Sequence, residues 1–228
     1  MSFAIPPPPV PSVEILGHST RFPVRRILCV GRNYAAHARE MGSDPTREPP
    51  FFFSKPADAI VSGDSEIAYP SLTTNLHHEV ELVVALAAGG RDLDRDATLG
   101  CVFGYAVGID LTRRDLQEAA KNAGRPWDFA KGFDRSAPCS AIVPVAFSGH
   151  PAAGEIWLSV NDTRKQTGDL RDMIWSVAEV IAAASRAIEL APGDLIYTGT
   201  PSGIGPLVRG DRVACGVAGL AELRIGIV

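Results

Sequence analysis

Two carboxylates stand two residues apart inside an apolar run, Leu76-His77-His78-Glu79-Val80-Glu81-Leu82-Val83-Val84-Ala85-Leu86. Side chains of a β-strand alternate between faces, so Glu79 and Glu81 share one face while Val80, Leu82, Val84 and Leu86 share the other. Like charges roughly 7 Å apart repel modestly in water and strongly where sheltered, and a metal ion or basic group between them relieves that cost. A half-exposed strand with a polar outer face is the alternative. Asp110 directly follows a second apolar run, Val102 to Ile109, where the chain turns towards a helix. With Glu79 and Glu81 it would complete an all-oxygen ligand set that suits Mg2+, Mn2+ or Ca2+ better than zinc; an Asp in front of a helix is equally a common N-cap.

Other residues carry possible chemistry alongside a plainer reading. His37 and Glu40 lie three apart on a short helix and face one side, as a general base oriented by a carboxylate would, or as a solvated surface pair. Lys131, inside Trp127-Asp128-Phe129-Ala130-Lys131-Gly132-Phe133-Asp134, is an anion-binding group or an ammonium snorkelling from an apolar patch. His77 and His78 are ligands or packing residues. The turn from Tyr197 to Gly205 lacks the ending of a phosphate loop, but its N–H groups and the Thr200 hydroxyl could cradle a carboxylate.

The elements that must position these groups are mostly strands: 26–30, the aromatic Phe51 to Lys55 stopped by Pro56, 79–86, 102–109, 156–160, 195–198 and the alternating tail 219–228. Helical periodicity predicts a helix from Tyr34 to Met41, capped by Asn33 and Gly42, and longer ones over 113–123 and 173–190. Strands and helices do not alternate regularly, which argues against a doubly wound parallel sheet. Residues 1–23, with five prolines between Pro6 and Pro11, read as a stiff extension before a catalytic domain over 24–228.

The 228 residues carry a net charge of -4 and 46% hydrophobic side chains, with no basic run to attract nucleic acid or an anionic membrane. No stretch approaches the roughly 18 apolar residues of a membrane span, and the first residues lack a basic flank and apolar core, so a cytoplasmic protein is expected. The four scattered cysteines read as reduced structural thiols.

Taken together, the motifs resemble the fumarylacetoacetate hydrolase superfamily from Val24 onwards. The likeness rests on Val30-Gly31-Arg32-Asn33-Tyr34 with the following His-x-x-Glu, on His77-His78-Glu79-x-Glu81, and on Gly108-x-Asp110-Leu111-Thr112-x-Arg114-Asp115. Trp127 to Asp134 and Pro192 to Pro201 extend it. It is greatest to the short acylpyruvate hydrolase branch, which includes fumarylpyruvate hydrolases and oxaloacetate decarboxylases. The resemblance implies a mainly β fold with some α, a mixed β-sandwich roll, assembled as a homodimer. It implies Mg2+ or Mn2+ held by Glu79, Glu81 and Asp110, with Lys131 beside the metal and Gln117 and Thr200 in the pocket wall. Arg32 and Tyr34 would approach a 2,4-dioxo acid substrate, and His37 with Glu40 would activate water from a lid helix. The expected reaction is cleavage of an acylpyruvate, fumarylpyruvate first, to pyruvate and a carboxylic acid. Oxaloacetate decarboxylation, an isomerase of aromatic catabolism and a non-enzymatic metal-stabilised protein are the alternatives. Arg32, Arg47, Arg125 and Arg164 are the candidates to meet a distal carboxylate on the acyl group.

Overall fold

The computed structural model describes residues 3–41 and 48–228. Short runs rich in Val, Ile, Leu and aromatic side chains pair into two main sheets. The larger has eight strands, in the order Phe51–Lys55, Arg26–Gly31, Asp194–Tyr197, Val80–Leu86, Val102–Ile109, Ala137–Cys139 and Ile60–Ser62, with Val143–Pro144 also paired to Val102–Ile109. Its pairings are antiparallel except Asp194–Tyr197 with Arg26–Gly31 and Ala137–Cys139 with Ile60–Ser62. The second sheet runs Thr163–Asp169, Glu155–Val160, Arg212–Val217, Leu223–Ile227 and Ser65–Ile67. A three-stranded sheet joins Thr112–Arg113, Leu76–His78 and Gly205–Leu207. Strands prevail over helices, as the β-roll expectation required.

The strand Val80–Leu86 is buried on both faces. Val80, Leu82, Val84 and Leu86 enter the main core with Ile156, Leu158, Val213 and Ile225 of the second sheet, while Val83 and Ala85 enter another core on the far side. That far core departs from the expected 1–23 extension. Residues 3–10 are exposed, but Ser12–Glu14 and Arg21–Pro23 form a hairpin that buries Val13 and Phe22 against Ile27, Val83 and Ala106. The Phe22 and Phe103 rings lie 5.3 Å apart.

The longer helices are Arg114–Asn122 and Val177–Ala187. The second is shorter than the 173–190 expected, because Ser176 forms a reciprocal capping box with Glu179 and Met173 bridges to Tyr34 in extended form. The helix near the N-terminus is Ala35–Glu40, and Asn33 does not cap it. The Asn33 amide instead donates to the Trp175 and Thr198 carbonyls at 2.9 and 2.8 Å and accepts the Trp175 N–H at 2.7 Å. Gly42, the expected cap at the other end, lies outside the described residues. Among the described residues no helix is long and apolar enough to cross a membrane.

Candidate active site

Strands Val80–Leu86 and Val102–Ile109 run antiparallel with Val80 opposite Ile109 and Glu81 opposite Gly108. At their shared end the Asp110 N–H donates to the Glu79 carbonyl at 2.8 Å, which sets the two acids side by side. Gly108 has to be glycine, since a Cβ there would stand 2.5 Å from the Tyr197 ring. Glu79 falls in the break between Leu76–His78 and Val80–Leu86. Carboxylate oxygens of Glu79, Glu81 and Asp110 lie within 4.8 Å of one another. Their exposures of 5%, 2% and 0% exclude the half-exposed strand. Asp110 is no helix cap either: Thr112–Arg113 intervenes as a strand and Arg113 is the N-cap.

Three buried cations face these three acids. The Lys131 ammonium donates to Glu79 Oε2 at 2.9 Å, Asp110 Oδ2 at 2.6 Å and the Thr112 hydroxyl at 2.7 Å. Only 2% exposed, it is no snorkelling lysine. Lys55 stands 2.8 Å from Asp110 Oδ1 and donates to the Leu111 carbonyl at 3.0 Å and to that of Lys131. Arg114 bonds both Glu79 and Gln117. Burial alone would raise the Glu79 carboxyl, but Lys131 and Arg114 outweigh it and hold it well below the usual carboxylate range. Glu81 is pushed up by burial and by Asp110 and Glu79, with the Gly199 N–H at 2.7 Å and the charge of Lys131 opposing. Burial would lower Lys131, yet the charges of Asp110 and Glu79 raise it.

This donor set fits a divalent cation. Asp110 Oδ1 is buried and accepts no hydrogen bond, because the nearby Lys55 ammonium is not aligned to donate to it. Glu81 is the acid least compensated by a cation, and all the oxygens are hard ligands of the Mg2+ and Mn2+ type.

The acids open on a cavity of about 290 Å³. Its wall includes His37, Glu40, Arg32, Gln117, Lys131 and Thr200, so the structure brings most of the sequence candidates to one place. His37 Nδ1 lies 3.1 Å from Glu40 Oε2, and Glu40 is fixed by the Gly203 N–H at 3.0 and 3.2 Å. Gly203 has φ +93°, and a Cβ would meet the Lys165 carbonyl at 2.2 Å. The Thr200 hydroxyl accepts from Gln166 at 2.8 Å. Tyr34 is not part of this wall; it is 3% exposed and its hydroxyl has no hydrogen-bond partner. His77 pairs with Asn75 at 2.9 Å and His78 with Gln166 at 2.9 Å, both as packing residues outside the cavity. Arg164 stacks on Trp157 at 4.1 Å, Arg125 borders a neighbouring cavity, and Arg47 lies outside the described residues.

Sequence reasoning missed Lys55 and Arg114 as members of the site. Arg114 stood inside a quoted motif, and a lysine ending an aromatic strand was the available signal for Lys55.

The profile of the fumarylacetoacetate hydrolase C-terminal family matches residues 26–228. The crystal structure of fumarylpyruvate hydrolase from Pseudomonas aeruginosa in complex with Mn2+ and pyruvate is similar with a TM-score of 0.98 and 50% identity, covering 100% of this chain and 99% of that one. The mitochondrial oxaloacetate tautomerase FAHD1 of Mus musculus is 42% identical over 203 residues, 89% of this chain and 91% of the relative. Oxaloacetate tautomerase YcgM of Escherichia coli (strain K12) is 42% identical over 193 residues, 84% and 88%.

Proposed function

The chain belongs to the fumarylacetoacetate hydrolase family, and from that premise we propose that it is a divalent-metal-dependent hydrolase cleaving the C3–C4 bond of a 2,4-dioxo acid, foremost fumarylpyruvate. The observation that carries this reading is one cavity walled by both the carboxylate trio and the His37–Glu40 pair. Likeness to a fumarylpyruvate hydrolase at 50% identity supports the substrate.

Mg2+ or Mn2+ held by Glu79, Glu81 and Asp110 would supply a chelating centre for the substrate's carboxylate and 2-oxo group and a sink for negative charge. Arg114 and the Gly199 N–H hold Glu79 and Glu81 in place for it. Glu40, anchored by the Gly203 N–H, orients the His37 ring. His37 then takes a proton from a water whose oxygen attacks the C4 carbonyl. Lys131 steadies the developing oxyanion. As C3–C4 breaks, its electron pair stays with the three-carbon half, which leaves as the enolate of pyruvate. The other half keeps the water's oxygen and departs as a carboxylic acid. His37 returns its proton towards C3, closing the cycle.

The test is pyruvate release from fumarylpyruvate, acetylpyruvate and oxaloacetate, each with Mn2+ or Mg2+ and with a chelator. Metal-dependent turnover led by fumarylpyruvate is expected, and no pyruvate from either acylpyruvate would defeat the hydrolase reading. The tautomerases at 42% identity favour a second reading, keto–enol exchange of oxaloacetate. That reaction moves a proton at C3 and needs no attacking water. Enol absorbance decay with oxaloacetate, without pyruvate from any acylpyruvate, would select it.

A further inference from the structure

A second cavity, of about 480 Å³, opens beside the first and shares Phe53, Lys121, Trp127 and Lys131 with it. Its sides are aromatic: Trp127 packs 5.1 Å from the Phe51 ring and 5.9 Å from that of Phe53. At its rim stand Lys121 and Arg125, both exposed, and among the described residues neither head meets a carboxylate. The helix Arg114–Asn122 explains the placement. Arg114, Gln117, Glu118 and Lys121 follow the i, i+3, i+4, i+7 spacing of one helical face and all border the first cavity. Arg114 grips Glu79 at the inner end, and Lys121 stands two turns outward, about 10 Å along the axis.

Building on the hydrolase reading above, we propose that this aromatic slot is the acyl subsite, and that Lys121 and Arg125 select substrates whose acyl arm ends in a carboxylate. A dioxo acid anchored at the carboxylate trio directs its acyl arm past Lys131 into the slot. A flat, conjugated four-carbon arm lies against the Phe53 and Trp127 faces, which add contact area without ordering flexible side chains. Its terminal carboxylate then reaches two cations that meet no other carboxylate among the described residues, the guanidinium offering a two-pronged contact. Glu118 and Asp128 also border these walls. Long-range charge is thus balanced, and selection comes from direct contact with the two cation heads. A short acetyl arm fills neither the slot nor the cationic rim. Arg32 also borders the first cavity but not the second, so it lies off this track.

The experiment compares steady-state pyruvate release from fumarylpyruvate and acetylpyruvate, with Mn2+ present, in the native protein and in Lys121→Met, Arg125→Met, their double variant and Arg32→Met. Both rim side chains are exposed, so melting temperatures should stay put. The ratio of kcat/KM for fumarylpyruvate over acetylpyruvate should fall at least tenfold in the double variant, carried by KM, and Lys121→Arg should keep most of it. An unchanged ratio with both compounds turned over, or a fall in Arg32→Met alone, overturns the assignment and leaves the hydrolase reading intact. No pyruvate from either compound in the native protein overturns both.

Discussion

Glu81 concentrates the electrostatic problem of this site. Burial and two neighbouring carboxylates push its pKa up, and the N–H of Gly199 and the charge of Lys131 oppose them without prevailing. A cation that replaces the proton resolves the conflict, so metal uptake should release protons. Glu81→Gln keeps an acceptor for Gly199 but loses the ligand charge; calorimetric titration should show Mn2+ binding abolished while circular dichroism stays native. Retained affinity would remove Glu81 from the ligand set. His37→Ala should slow acylpyruvate hydrolysis about 10²- to 10⁴-fold, the usual contribution of a general base, and slow oxaloacetate tautomerisation less. Equal losses in both assays would deny His37 its role towards water. Arg114 tests the buried charges themselves. Arg114→Met leaves Glu79 with Lys131 alone and should cost about 3–5 kcal/mol in urea denaturation. The three acids could be read from sequence because strand alternation and a strand end are local patterns. Their cationic partners could not, since Lys55 and Arg114 arrive from an aromatic edge strand and a helix face whose docking is settled only by tertiary packing.

Elements divide between those their own sequence dictates and those the neighbours shape. The runs 80–86 and 102–109 were legible because β-branched and aromatic side chains cluster between turn residues. What periodicity could not report is that Val80–Leu86 has a core on either side, or that pairing stops at Glu79. The helix expected over 173–190 contracts to Val177–Ala187 because Ser176 and Glu179 make a stronger start than the apolar pattern suggests. Leu76–His78 carries a pH signature. Burial, aided by Arg114, lowers His77 from 6.5 to about 4, and burial lowers His78 as well. The unfolded chain therefore binds protons near pH 6.5 that the fold refuses until about pH 4. Stability is full above that window and falls as pH drops through it. The urea midpoint should be lower at pH 5 than at pH 7, and His77→Gln should narrow the difference; an unaltered difference would show that other groups govern the acid response.

Across the whole molecule, the two cores share the large sheet as a common wall, and the N-terminal hairpin closes the second of them. Composition pointed to an appendage because prolines dominate residues 6–11, but Val13 and Phe22 behave as core. Phe22→Ala should cost about 3–5 kcal/mol by thermal or chemical denaturation, a loss no detached extension would produce. The fold as a class was legible because its motifs recur in order; the hairpin's docking was not, since it depends on Ile27, Val83 and Ala106 far along the chain.

The parallel pairing of Arg26–Gly31 with Asp194–Tyr197, and of Ser65–Ile67 with Leu223–Ile227, bears on how this chain is made. Gly199, which holds Glu81, is synthesised 118 residues after it. Until Asp194–Tyr197 emerges from the ribosome, Val80–Leu86 is paired only with Val102–Ile109, and Glu81 lacks the N–H that holds it. Contacts this distant in sequence also slow folding, because long loops must close before they are rewarded. The nascent chain therefore carries the three acids and their cationic partners, all made by Lys131, on a sheet with one open edge until Asp194–Tyr197 closes it.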